Sequence, residues 1–114
     1  MIKIYHNPRC SKSRQAIELL NSKNTEHEII LYLEEGLKIN DIKNLLKLLN
    51  LNVRDIIRTS ESAYKENNLQ DKSLSEKFLI QKIIENPKLL QRPIIINQNQ
   101  AVIGRPTENI LSIL

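Results

Sequence analysis

Cys10 is the chain's one cysteine. It lies in His6-Asn7-Pro8-Arg9-Cys10-Ser11-Lys12-Ser13-Arg14, between an apolar opening run and a helix-like segment. A thiol at the first turn of a helix faces N–H groups that lack intrahelical partners, together with the positive end of the helix dipole. Both favour the thiolate. His6, Arg9, Lys12 and Arg14 would add positive charge beside it. A lone cysteine in a soluble domain is more commonly a small buried hydrophobe. Cys10, however, follows a polar, proline-containing turn, and Arg9, Ser11 and Lys12 are poor company for a core. A reactive thiol is therefore the better reading. The position three residues on is Ser13, so the chain has no second thiol to resolve a disulfide. Reducing equivalents must then come from a low-molecular-weight thiol or a partner dithiol protein, by way of a mixed disulfide or thiol adduct.

Six arginines, Arg9, Arg14, Arg54, Arg58, Arg92 and Arg105, lie near turn or element-end signals. Two of them form the pairs Arg92-Pro93 and Arg105-Pro106, at the opposite ends of a predicted hairpin. Antiparallel pairing brings those ends together, so both guanidinium groups could share one space at the sheet edge. Each is a fixed fork of donors suited to an oxyanion, and a charge-assisted hydrogen bond contributes about 1.5 to 3 kcal/mol. The competing role for either arginine is solvation of a strand end or pairing with a surface acid such as Glu108. Metal binding is not expected, because Cys10, His6 and His27 have no metal-type spacing. With only Gly36 and Gly104, the chain also has no glycine-rich phosphate loop.

These groups need elements to hold them. Met1 to Tyr5 alternates like a short strand that stops at Asn7-Pro8, and Ser11 or Lys12 to about Asn21 carries Ala16, Ile17, Leu19 and Leu20 on a helical face. Glu28 to Leu33 reads as a buried strand, completing a β-α-β unit whose strands should be parallel. Helical patterns follow from about Asn40 to Leu49 and over Val53 to Arg58, with a turn or two between Ser60 and Lys72. Ser73 and Glu76 resemble a capping box for a helix that Asn86-Pro87 stops. Ile94 to Ile96 and Ala101 to Ile103 then read as a hairpin around Asn97 to Gln100, with a terminal amphipathic helix from Thr107 to Leu114. The predicted class is α/β with a mixed four-stranded sheet: β-α-β, helical insertion, β-β-α. That is the thioredoxin-like arrangement, in which the reactive cysteine lies between the first strand and first helix.

A length of 114 residues fits one domain, read here as 1–114 with a helical insertion at about 37–88. One cysteine, no signal-like N-terminus and no apolar stretch long enough for a bilayer point to a soluble cytoplasmic protein with no membrane association. The net charge of +4 admits an anion or an acidic partner. Lysines are dispersed and aromatics scarce, so no nucleic acid partner is expected.

The segment Ile4 to Arg14 resembles the active-site segment of glutaredoxin-coupled bacterial arsenate reductases. The similarity extends over Ile29 to Glu34, Val53 to Arg58, Asn86-Pro87 to Ile94 and Gly104-Arg105-Pro106. The resemblance implies that Cys10 attacks arsenate while Arg58, Arg92 and Arg105 hold the oxyanion. It implies that His6 assists the low thiolate pKa and that Asn7, Pro8, Ser13 and Pro93 shape the supporting loop, with a cis bond before Pro93. It also implies no bound cofactor, glutathione as co-substrate and glutaredoxin as partner; a monomer is the working expectation. Two alternatives stand beside it: a redox-responsive transcriptional regulator that binds RNA polymerase, for which Cys-x-x-Cys would be usual, and a glutathione-dependent thiol reductase that acts on mixed disulfides.

Overall fold

A computed structural model describes all 114 residues. Its contacts divide the chain into two compact units, Met1–Glu35 with Arg92–Leu114, and Gly36–Gln91. The first unit holds β1 (Ile2–Tyr5), α1 (Ser11–Ser22), β2 (His27–Ile30), α2 (Tyr32–Glu35), β3 (Ile94–Asn97), β4 (Gln100–Ile103) and a 3₁₀ helix at Thr107–Ile113. The sheet order is β2-β1-β3-β4. β1 is parallel to β2 with Ile4 opposite Ile29, and antiparallel to β3 with Ile4 opposite Ile95. The β-α-β and β-β-α halves therefore share one mixed sheet, as expected of a thioredoxin-like chain. One face of that sheet carries Ile2, Ile4 and Ile95, which pack with Ala16 and Leu20 of α1 and with Ile110 and Ile113 of the last helix.

Two expectations for this unit need correction. β2 ends at Ile30, not Leu33, and it is half-exposed because it forms the sheet edge. The chain turns at Leu31, whose carbonyl accepts from Glu34 and Glu35 N–H and whose own N–H donates to the Glu35 carboxylate. Tyr32 is thereby buried against Tyr5, with ring centroids 6.2 Å apart. The terminal helix is 3₁₀ rather than α, and of the apolar residues expected on its face it buries Ile110 and Ile113 but leaves Leu111 and Leu114 exposed.

The second unit contains α3 (Ile39–Leu49), a 3₁₀ turn at Val53–Ile56, α4 (Ser62–Glu66), α5 (Glu76–Glu85) and a 3₁₀ turn at Pro87–Leu89. α3 buries Ile42, Leu45 and Leu46, spaced to fall on one face, and α5 buries Leu79, Ile80 and Ile83. The cap of α5 is Ser75, not Ser73: the Ser75 hydroxyl accepts the Phe78 N–H at 3.1 Å, while Ser73 is held in a turn by Asp71. Val53–Ile56 is shorter than the predicted helix because Ile57 leaves it to bridge Leu90. No helix in the chain is long and apolar enough to cross a membrane.

Candidate active site

The loop after β1 is built from its own polar atoms. His6 N–H donates to Ile30 O at 3.0 Å, extending the parallel ladder by one residue. Asn7 Oδ1 accepts from Arg9 N–H at 3.0 Å and Asn7 O accepts from Cys10 N–H at 3.0 Å, an Asx turn closed by the backbone. Arg14 returns from α1 to donate to Pro8 O at 2.8 Å. Ser13 is fully buried; its Oγ accepts from Asn7 N–H at 3.0 Å and lies 2.6 Å from His6 Nδ1. Asn7, Pro8 and Ser13 thus form a loop with little freedom, and it delivers Cys10 to the N-cap of α1 in extended backbone geometry.

Cys10 is 9% exposed and not in a disulfide. Burial raises the thiol pKa and is the largest single influence on it. The N–H of Ser13, the Arg92 and Arg105 guanidinium groups and the N–H of Lys12 together outweigh burial and bring the thiol down to about 7. The sulfur makes no full side-chain cap bond to the helix, so the two N–H groups act on it as nearby oriented dipoles. Arg105 Nη2 donates to the sulfur at 3.5 Å, and its Nε donates to Arg92 O at 2.8 Å. The two hairpin-end arginines therefore do converge, as antiparallel pairing requires.

The bonds Arg92–Pro93 and Arg105–Pro106 are both cis; only the first was expected. Gly104 N–H donates to Pro93 O at 2.9 Å, and a Cβ on Gly104 would sit 2.9 Å from Pro93 Cγ. Such contact is too close for any side chain, so glycine is required where the two Arg-Pro turns meet. Asn109 was not singled out from the sequence. Its Nδ2 donates to Arg105 O at 3.1 Å and Ile103 O at 3.2 Å, fixing the peptide that carries the thiol's cation. Nothing in its sequence context signals that role, which depends on the last helix folding back on β4.

His6 does not supply positive charge. Burial, and secondly the Arg14 cation, push its imidazole below its ordinary value, so it is uncharged at neutral pH. Its contact is with Ser13, whose N–H faces the sulfur. Arg58 belongs to the helical unit, where Nε donates to Glu61 Oε2 at 3.3 Å and its backbone N–H donates to Leu89 O at 2.7 Å. Arg54 is a structural clamp there, donating to Leu69 O at 2.7 Å and Asp71 O at 2.5 Å. No group of three or more His, Cys, Asp or Glu side chains is placed to hold a metal.

A nucleophile half-ionised at neutral pH, buried and held beside guanidinium groups, can attack an electrophilic centre in an anion and stabilise the charge that develops. Comparison with known proteins identifies the family. The profile described as the ArsC family matches residues 5–113. The chain is 49% identical to the uncharacterized protein YfgD of Escherichia coli over 99% of its own length and 96% of that protein. It is 43% identical to a protein named arsenate reductase from Haemophilus influenzae, covering 97% of each chain. Among solved structures, an arsenate reductase from Vibrio cholerae superposes with a TM-score of 0.96 at 44% identity, over 99% of this chain and 97% of that one.

Proposed function

The chain belongs to the ArsC family, and from that membership we propose that it is an arsenate reductase using glutathione and glutaredoxin. The observation that carries this reading is the Arg105 guanidinium at 3.5 Å from a thiol whose pKa is about 7. Named arsenate reductases at 39% and 43% identity over nearly the full length support the substrate.

In this mechanism the Cys10 thiolate displaces an oxygen ligand from arsenic, which leaves as water after protonation. Arg92, Arg105 and Arg58 spread the charge of the bound oxyanion, and His6 acts by holding Ser13. Glutathione displaces a second oxygen ligand, placing its sulfur on arsenic. The glutaredoxin thiolate then takes that sulfur as a mixed disulfide, and the electron pair of the broken sulfur–arsenic bond stays on arsenic, reducing it. Water releases arsenite and returns Cys10. This chain needs no second cysteine because the disulfide forms on the partner. On this reading Gly36–Gln91 is a helical insertion of one domain, and the protein works in a reducing compartment such as the cytoplasm.

An NADPH-linked assay with glutathione reductase tests the proposal. Arsenate-dependent NADPH oxidation is expected to need both glutathione and glutaredoxin and to fall to background in Cys10→Ser. Full turnover by that variant would exclude the mechanism.

A further inference from the structure

The loop that delivers the thiol carries more positive charge than the oxyanion reading uses. Arg9 and Lys12 flank Cys10 and are exposed, and no acidic residue occurs from Met1 through Ile17. Neither side chain is in an ion pair; those at Arg58–Glu61 and Lys82–Glu85 belong to the helical unit. Arg14, also exposed, is anchored by its bond to Pro8 O. Arg9 and Lys12 are thus unneutralised and exposed, one and two residues along the chain from Cys10, a residue only 9% exposed itself. Arg92 and Arg105 already face the sulfur itself. Neither the Arg9 nor the Lys12 side chain is among the groups that act on the sulfur, so this pair suits anionic groups that a thiol compound carries at a distance from its sulfur.

We infer that Arg9 and Lys12 select the thiol partner of Cys10, favouring thiols and disulfides that bear carboxylates over neutral or cationic ones. The inference rests on Cys10 being the reacting thiol and adds the specificity of that site. The elementary step is exchange: the Cys10 thiolate attacks one sulfur of a disulfide, a Cys10 mixed disulfide forms, the old sulfur–sulfur bond breaks and the second thiolate leaves. No other oxidant is consumed. The cations act on the encounter, raising the local concentration of anionic partners and aligning them, an effect that salt screens.

Second-order rates for the reduced protein are measured with dianionic glutathione disulfide, neutral hydroxyethyl disulfide and dicationic cystamine. The readout is the ratio of the glutathione disulfide rate to the cystamine rate. Both reagents meet the same thiolate population, so a change in thiol pKa cancels from it. In the double variant Arg9→Glu, Lys12→Glu the ratio is expected to fall about tenfold or more, with Arg9→Gln, Lys12→Gln between it and wild type. In the unmodified protein the same ratio should fall as salt is added, which needs no substitution. A ratio unmoved by the charge reversal would overturn the inference, whatever salt does to it, while leaving a reactive Cys10 intact. Failure of wild-type Cys10 to exchange with any of the three reagents would overturn the reactive-thiol reading along with it.

Discussion

Arg54 in the helical unit and Arg105 in the sheet unit look alike in sequence, each close to the end of an element, yet the structure uses them differently. Arg54 spends its guanidinium on two main-chain carbonyls, Leu69 O and Asp71 O. Arg105 anchors only Nε, on Arg92 O, and turns Nη2 toward a sulfur. What separates a fastener from an arginine that faces a nucleophile is therefore how many of its donors the main chain takes up on folding. The sheet unit leaves cations in excess around one nucleophile. In the helical unit Arg58 and Lys82 are each matched with an acid, Glu61 and Glu85.

Substitutions can break that comparison at either end. The largest effect short of removing the nucleophile is expected at Arg105. Arg105→Gln removes a charge-assisted bond of about 1.5 to 3 kcal/mol, so kcat/KM for arsenate should drop roughly 10- to 150-fold, and the Cys10 pKa should rise because one of its lowering influences is gone. Steady-state kinetics with a thiol titration would read both. Arg58→Gln sharpens the contrast. If this arginine holds oxyanion, kcat/KM should fall about tenfold, with no change in the thiol titration, since Arg58 does not contribute to the Cys10 shift. Kinetics indistinguishable from wild type would reduce Arg58 to a partner of Glu61. Arg54→Ala should do the reverse: a loss of about 2 kcal/mol in urea unfolding, with the Cys10 pKa unmoved.

Much of this contrast was legible in the sequence because local signals set it. Asn7-Pro8 ends β1 and leaves Cys10 where α1 must start, and the β-branched run Ile94 to Ile96 with its polar turn made the hairpin that joins Arg92 to Arg105. What was not legible depends on burial or on distant chain. His6 reads as a cation beside the thiol until its burial and the Arg14 charge are known, and both leave it neutral. The stretch Ile29 to Leu33 reads as one continuous strand, but Tyr32 is more favourably buried against Tyr5 than extended along a sheet edge. Ser73 reads as the cap because Glu76 stands three residues on, but Asp71 engages Ser73 and the cap falls to Ser75. The Asn109 clamp on Arg105 could not be seen at all without the fold-back of the final helix.

The central claim, that guanidinium and N–H groups hold the buried Cys10 thiol ionised, is tested most directly by the pH dependence of its alkylation by neutral iodoacetamide. Only the thiolate reacts, so the rate should rise with pH through a midpoint at about 7. A midpoint at or above the ordinary cysteine value of about 8.5 would contradict it.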